Sequence, residues 1–226
     1  MESIQLPDYL FESPSTICIA GPSSSGKSNI LLAILAERQK MFSQKVHNVV
    51  LFYGEYQEIY ENPLGGAVTL HYGFPTDEEL EQYFVSFEGQ HSLIIFDDLM
   101  DKAAESPLGS DIATKLSHHR NVTCINLVQN IFKQGKAART QAVNSHYIIL
   151  TRTCRDLRQV STLGQQLFPG KGSQFVQVYE DAVDSPLTKE YPGHLFIGCH
   201  PMKTKRDCRL LSNIFPIDGP KVLYRL

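Results

Sequence analysis

The sequence lacks any long apolar run, since no stretch approaches the roughly 18 residues that a membrane-spanning helix needs. It also lacks a basic amino-terminal region followed by an apolar one, so no secretory signal peptide is visible. Internal repeats, low-complexity tracts and flexible linkers are missing too. We therefore expect an intracellular protein without a membrane anchor. It should form one domain over 1–226, with a leader at 1–14 and a carboxyl-terminal extension over about 171–226.

The chain has few cysteines and a small net charge. The five cysteines are odd in number and include no C-x-x-C pair, which predicts reduced thiols and no zinc site. The formal net charge is −3, so bulk charge does not indicate a nucleic-acid-binding protein. Contact with nucleic acid must come from local basic clusters, each of which is either a DNA contact or a solvated loop. Two clusters are present: Lys133, Lys136 and Arg139, and Lys203, Lys205, Arg206 and Arg209.

The segment 21–28 reads GPSSSGKS and fits the phosphate-binding pattern G-x-x-x-x-G-K-[ST]. An apolar run at 16–20 precedes it, and residues 29 to about 42 follow with apolar residues at helical spacing. Glycines let backbone N–H groups turn toward phosphate oxygens, and the helix N-terminus adds positive charge. The pattern predicts an ATP site in which Lys27 reaches the β- and γ-phosphates and Ser28 ligates Mg²⁺. The predicted nucleotide-binding residues are Gly21, Pro22, Ser23, Ser24, Ser25, Gly26, Lys27, Ser28 and Asn29.

Apolar, strand-like runs alternate with helical patterns along the chain. This alternation predicts an α/β fold with a mostly parallel sheet and helices on both faces. A capping box at Thr76 and Glu79 marks one helix start, and Ser110 is a candidate cap for another helix to about His119. The tail predicts a helix near 175–182 and antiparallel edge strands at 195–199 and 209–211. The earlier predicted strands are 16–20, 48–53, 67–72, 92–98, 121–128 and 146–150.

A second acidic site follows the apolar run that ends in Asp97 and Asp98. Because the carboxyl ends of parallel strands gather at one edge, Asp97 can lie beside Ser28 and hold Mg²⁺ through water. Asp98 is then placed to orient or deprotonate the attacking water, or else it is an exposed cap. If the strand ending at Gln129 lies between the two motif strands, Gln129 can sense the γ-phosphate; otherwise it is a polar strand end. Residues 55–57 either face the nucleotide or lie on plain surface.

Longer stretches of the chain resemble one family beyond these generic motifs. They are SHHRNV at 117–122, LVQNIF at 127–132, RD at 155–156 and LGQQLFP at 163–169. The sequence resembles the genome-packaging ATPases of double-stranded DNA viruses and of virus-like Polinton/Maverick transposons. These belong to the FtsK/HerA branch of P-loop motors, and the resemblance covers about residues 15–216. The sequence departs from the family at Pro22, where Gly is common, and at Cys154, where Pro often precedes the arginine.

The resemblance implies a RecA-like P-loop core with an additional strand. It implies a homo-oligomeric ring, a pentamer or hexamer, that uses ATP to drive double-stranded DNA into a capsid. Capsid or portal-vertex proteins are then further partners, and the place of action is the host nucleus, the viral assembly site or the virion. It also implies an arginine finger supplied in trans, since a transferring phosphoryl group needs such a cation. Arg139 and Arg155 are the candidates, ahead of Arg120 and Arg152.

Other functions fit the same motifs. A helicase or conjugation-type motor would use the same core, because one fold serves many tasks. A small-molecule kinase needs an arginine-bearing lid, and the segment 99–110 contains no arginine. A non-catalytic scaffold would not need the full set of Lys27, Ser28, Asp97 and Asp98.

Overall fold

The computed structural model of the chain describes residues 9–61, 68–99, 120–131, 145–154, 157–184, 191–204, 209–216 and 220–226. Within these ranges nine strands form one sheet. They are β1 Thr16–Ala20, β2 Asn48–Tyr53, β3 Thr69–Tyr72, β4 Ser92–Asp97, β5 Val122–Val128, β6 Tyr147–Thr151, β7 His194–Gly198, β8 Leu210–Ser212 and β9 Val222–Tyr224. Across the sheet the order is β3-β2-β4-β5-β1-β6-β7-β8-β9.

The sheet is mostly parallel, with an antiparallel edge. Strands β3, β2, β4, β5, β1 and β6 pair in parallel, while β7, β8 and β9 add antiparallel pairs. Strand β5 lies between β1 and β4, which is the additional strand that the family resemblance implies. The predicted fold class is therefore confirmed, including the antiparallel strands from the carboxyl-terminal part.

Helices cover both faces of the sheet because its strands are apolar on both sides. The described helices are α1 Lys27–Ala36, α2 Arg38–Met41, α3 Asp77–Ser86, α4 Leu157–Leu167 and α5 Gly172–Asp184. On β1, Ile17 and Ile19 face the core cluster that contains α1, whereas Cys18 and Ala20 face the cluster that contains α4 and α5. Helix α3 packs with alternate residues of β2 and β4 on the same face as α4 and α5.

Some element boundaries differ from the sequence prediction. The helix expected over 29–42 begins two residues earlier and divides at Glu37 into α1 and α2. Helix α2 ends at Met41, because Phe42 is extended and pairs with Phe11 of the leader. Both rings are buried in the core cluster, so this contact stops the helix. Helix α4 and strand β9 were not predicted, and the helix predicted over 110–119 lies outside the described residues.

The described part of the chain bears on two expectations from the sequence, the lack of a membrane span and the reduced state of the cysteines. None of its helices is long and apolar enough to cross a bilayer. Its cysteines carry free thiols, with Cys18 and Cys124 buried, Cys199 half-buried and Cys154 exposed. Burial raises the pKa of the Cys18 and Cys124 thiols to about 12, so both stay protonated in the core.

Gly164 on α4 lies directly against α5. A Cβ at this position would meet the Phe175 Cβ at 2.5 Å and its Cγ at 2.6 Å, closer than real contacts allow. Gly164→Ala should therefore lower the free energy of unfolding by about 1–3 kcal/mol, the usual cost of overpacking. Elsewhere in a helix, Gly→Ala raises the free energy of unfolding by about 0.5–1 kcal/mol. A decrease at Gly164 would therefore indicate the close packing of α4 on α5.

Urea unfolding followed by circular dichroism measures this change. Gln166→Ala, on the exposed side of the same helix, is the matched control and should stay within about 0.5 kcal/mol of the parent. A Gly164→Ala protein as stable as the parent would contradict the packing of α4 on α5.

Candidate nucleotide-binding site

The loop Gly21–Gly26 connects β1 to α1 at the carboxyl edge of the parallel strands. Since β1 lies between β5 and β6, this loop emerges near the middle of the sheet and not at its rim. The Gly21 N–H donates to the Val128 carbonyl at 3.1 Å, which continues the β1–β5 ladder into the first loop residue. The strand–loop–helix context that the motif requires is therefore present.

Two residues of the loop, Ser24 and Gly26, have φ in the left-handed region, and Ser25 between them does not. Ser24 has φ 62°, and Gly26, the N-cap of α1, has φ 90° without a side-chain cap. A turn from Ser25 N–H to the Pro22 carbonyl, at 3.2 Å, closes the loop. Alternation of this kind turns successive N–H groups to one side and forms a concave site for an anion. The N-terminus of α1 adds its partial positive charge at the same place.

Two distant parts of the chain hold the loop in place. Thr151, the last residue of β6, donates from Oγ1 to the Ala20 carbonyl at 3.2 Å and lies 2.6 Å from the Ser25 Oγ. A Cβ on Gly21 would overlap the Thr151 Oγ1, and one on Gly26 would overlap the Pro192 ring. The glycines of the motif are therefore needed for close packing as well as for backbone conformation.

Lys27 is folded back onto its own loop. Its Nζ donates to the Gly21 carbonyl at 2.8 Å and to the Pro22 carbonyl at 2.9 Å. Partial burial lowers the pKa of Lys27, while the charges of Asp97 and Asp98 act in the opposite direction. The ammonium group is thus held at the mouth of the loop by carbonyl oxygens, which phosphate oxygens can replace.

Asp97 ends β4 in a buried position, with 5% of its surface exposed. Burial raises the pKa of Asp97, while the Tyr60 hydroxyl and the Lys27 charge oppose the rise. Tyr60 belongs to the 3₁₀ turn Glu58–Glu61, and its OH donates to Asp97 Oδ2. The same oxygen accepts a bond from Gln57 Nε2 at 3.2 Å, and Gln57 Oε1 accepts from Ser28 Oγ at 2.9 Å. Gln57 therefore joins the two predicted Mg²⁺ ligands.

Asp98 and Gln129 form a separate, exposed pair next to the buried aspartate. Asp98 has a left-handed backbone, with φ 55°, and its N–H donates to the Leu127 carbonyl at 3.3 Å. Gln129 Nε2 donates to Asp98 Oδ2 at 2.9 Å. The left-handed turn ends the strand after Asp97 and turns Asp98 toward the end of β5. The condition set for Gln129 is met, because β5 lies between the two motif strands.

The residues present fit a magnesium–nucleotide complex. Ser28 Oγ and Asp97 Oδ2 are oxygen atoms of the kinds that Mg²⁺ prefers, and the Gln57 side chain contacts both. Beside the loop lies a cavity of about 1040 Å³, lined by its serines, Gln129, Arg152–Cys154 and Tyr191–Gly193. That volume is enough for a nucleoside beyond the phosphate-binding loop.

No family model matches the chain, and no curated protein matches it in sequence. Solved structures with a similar backbone include the DNA-packaging ATPase B204 from Sulfolobus turreted icosahedral virus, with a TM-score of 0.49, 14% identity, and coverage of 85% of this chain and 96% of that chain. The genome packaging NTPase B204 of Sulfolobus turreted icosahedral virus 2, in complex with ATP-gammaS, matches with a TM-score of 0.46, 12% identity, and coverage of 84% and 95%. EssC (ATPases 2 and 3) from Geobacillus thermodenitrificans has a TM-score of 0.42, 9% identity, and coverage of 63% of this chain and 33% of that chain.

The remaining predicted site residues divide into three groups. Asn29 is exposed on the first turn of α1, and Glu55 and Tyr56 are exposed beyond β2, with Gln57 the member of that trio that joins the site. Arg152 lines the cavity and pairs with Asp184 at 3.0 Å, whereas Arg120 pairs with Glu81 at 3.1 Å near the opposite edge of the sheet. The predicted finger residues Arg139 and Arg155 lie outside the described residues, as does the basic cluster 133–139.

Sequence reasoning missed Tyr60, Thr151 and Pro192. Thr151 ends β6 after four apolar residues. Once β6 is known to lie beside β1, a polar residue at this position predicts a contact with the loop that follows β1. Tyr60 lies 37 residues from Asp97, and Pro192 contacts Gly26 from the segment before β7. Neither contact follows from spacing along the chain.

Gly26→Ala should abolish nucleotide binding while the protein stays folded. The left-handed backbone alone costs about 1 kcal/mol with a Cβ, and overlap with Pro192 forces the loop to move as well. Gly89→Ala is the matched control, because Gly89 also has a positive φ, of 76°, but a Cβ there meets nothing within 4 Å. Calorimetric titration with ATP checks both variants; equal binding by Gly26→Ala and Gly89→Ala would contradict the clamped loop.

Proposed function

We propose that the chain is an ATP-hydrolysing motor that moves double-stranded DNA, acting in viral genome packaging. The observation that carries the ATPase part is the single cluster at the carboxyl edge of the sheet. There Lys27 and Ser28, the first residues of α1 after the loop, lie beside the buried Asp97 and the exposed pair Asp98–Gln129. A phosphate cradle, a cation-binding carboxylate and a second carboxylate open to water are the parts that phosphoryl transfer to water requires.

Each polar side chain has a role in this proposal. Bound Mg²⁺ supplies charge neutralisation for the phosphate oxygens at Ser28 and Asp97. Lys27 exchanges the loop carbonyls for phosphate oxygens, and its charge stabilises the transferring group. Asp98, which is exposed, orients or deprotonates the attacking water. The Gln129 amide donates a hydrogen bond to Asp98. A shift of Asp98 on loss of the γ-phosphate would therefore be transmitted to Gln129 and the end of β5.

The distribution of charge along the chain supports a DNA contact in its second half. Residues 46–101 contain eleven Asp and Glu and no Lys or Arg. Residues 102–226 contain seventeen Lys and Arg against nine Asp and Glu. Phosphate contacts need local positive charge, so the segment from β2 to β4 is excluded as the DNA face. Both basic clusters, at 133–139 and 203–209, fall in the basic half.

Packaging, ring assembly and partners rest on the sequence resemblance. We propose a pentameric or hexameric ring in which Arg139 or Arg155 of one subunit reaches the nucleotide of the next. The partners are duplex DNA, which contacts the protein without sequence preference, and capsid or portal-vertex proteins. The whole chain 1–226 acts as one motor domain, inside the host cell at the site of viral assembly.

ATP hydrolysis with and without duplex DNA tests the proposal. We expect turnover that rises with DNA and falls about 100-fold or more in Lys27→Ala, because the cation that stabilises the transferring phosphoryl group is lost. Lys133→Ala/Lys136→Ala should keep the DNA-independent turnover and weaken the DNA stimulation. Glu78→Gln, in the acidic segment, is the control and should keep both.

Light scattering on the same samples relates turnover to assembly. Turnover that depends on oligomers and on DNA supports the motor. Turnover by a monomer that is indifferent to DNA would overturn the DNA-motor proposal and leave an ATPase, or a kinase, of another kind.

A further inference from the structure

Four tyrosines form a patch at the carboxyl edge of the sheet, next to the candidate nucleotide site. The Tyr53 ring lies 5.8 Å from the rings of Tyr56 and Tyr60 and 5.9 Å from the ring of Tyr72. Tyr60 is 8% exposed, Tyr56 is 50% exposed and Tyr72 is 78% exposed. This tyrosine patch therefore has a buried inner end at Tyr60 and an open outer end at Tyr72.

The inner end of the tyrosine patch is part of the candidate site. The Tyr60 hydroxyl donates to Asp97 Oδ2, and it also hydrogen-bonds with the Ser28 side chain. Asp97 and Ser28 are the two predicted Mg²⁺ ligands. A molecule that docks on the tyrosine patch would therefore border the proposed magnesium and phosphate groups.

The outer end of the tyrosine patch lies at one edge of the sheet. Strand β3, which carries Tyr72, is the outermost strand in the sheet order of the described chain. Tyr72 is the register partner of Tyr53, and Leu70 is the register partner of Leu51. Partners in register share a face, so both β3 side chains lie on the face that packs against α1, and Leu70 is 36% exposed there. Large apolar side chains are thus left open beside the candidate site.

The charges around the tyrosine patch are negative. Glu55 and Glu58 are exposed on either side of Tyr56, and neither forms an ion pair within the part of the chain that the structure describes. Positive charge is concentrated elsewhere, because eight of the nine arginines lie within residues 102–226 and the ninth, Arg38, is buried. The side chains that could neutralise the patch therefore belong to the second half of the chain.

The charge of the patch decides between its possible occupants. Duplex DNA would bring phosphates against Glu55 and Glu58, so it is repelled. A two-fold contact between copies would place the patch against itself and bring like carboxylates together. An arginine-rich surface fits, because guanidinium groups stack on tyrosine rings and bond to carboxylates. The basic half of another copy is such a surface.

We infer that the tyrosine patch, with Glu55 and Glu58, is the surface on which a second copy of this chain docks through its basic half. The inference rests on the proposed ring and deepens it by naming the receiving face. A contact between two different surfaces of identical chains is head to tail, and such contacts close into a ring when the rotation allows. The neighbour's cationic side chains would then lie beside Tyr60, at the border of the ATP site.

Sedimentation velocity on the full-length protein tests the receiving face. Tyr72→Ala and Glu55→Gln/Glu58→Gln should each raise the dissociation constant for self-association about tenfold or more, as loss of a central interface contact does. Added salt should weaken association of the parent more than that of the glutamine variant, since screening acts on the charges already removed there. Calorimetric titration should show the same ATP affinity in all of them, because these residues lie outside the nucleotide contacts.

The control variants lie on the opposite face of the sheet, in the region of α3. Val85→Ala removes another exposed apolar side chain, 68% exposed, and Glu78→Gln/Glu88→Gln removes two other exposed carboxylates. Both should associate like the parent. Equal losses in the control and patch variants would indicate a general effect of charge or apolar surface, and would overturn the inference.

Photo-crosslinking identifies what lies on the patch. Tyr72→p-benzoylphenylalanine places a photoreactive group at its open end, and mixing isotope-labelled with unlabelled subunits distinguishes contacts between copies by mass. We expect products that join position 72 of one copy to residues 102–226 of another. Products confined to residues 1–101 of the other copy, or formed with added duplex DNA instead, would overturn the inference.

The outcomes separate the inference from the function on which it rests. A parent protein that does not bind ATP would overturn the proposed ATP site. A parent that binds ATP but stays monomeric at all concentrations, with or without DNA, would overturn both the ring and the docking surface. A parent that assembles, with patch variants that assemble equally well, would overturn the docking surface alone.

Discussion

Parallel strands end at a common edge, and the chemistry of this protein depends on that constraint. Residues far apart in sequence, such as Lys27, Asp97 and Gln129, come together because β1, β4 and β5 run side by side in one direction. The insertion of β5 between β1 and β4 sets the spacing between the phosphate loop and the acidic strand end. The antiparallel strands β7–β9 extend the sheet on the other side, and the segment before β7 brings Pro192 against the loop.

The polar groups of the site satisfy one another in the structure. Lys27 bonds to loop carbonyls, Ser28 and Asp97 share Gln57, and Asp98 pairs with Gln129. Burial of a carboxylate such as Asp97 is costly unless it is hydrogen-bonded, and Tyr60 with Gln57 provides those bonds. A magnesium nucleotide would replace each contact by one of similar kind. In the proposed ATP site, ligand binding would therefore exchange hydrogen-bond partners without building a new pocket.

The residues that the proposed ATP site requires could be named from the sequence, since few residue types can replace Gly26, Lys27 or Asp97 in such a site. The mostly parallel sheet followed from continuous apolar strands, and α4 could have been found from Val160, Leu163 and Leu167 at helical spacing. Residues that act through contacts between distant segments could not be predicted from the sequence. Tyr60 and Pro192 matter because of which segments pack together, and β9, only three residues long, shows too little pattern.

A crystal structure with Mg²⁺ and AMPPNP tests the central claim most directly, that this edge of the sheet is an ATP site. The account predicts the triphosphate inside the loop Gly21–Gly26, with Lys27 Nζ moved from the Gly21 and Pro22 carbonyls to phosphate oxygens. Ser28 and Asp97 should then flank the ion. An analogue bound elsewhere, or a loop that keeps Lys27 on its own carbonyls at saturating nucleotide, would contradict it.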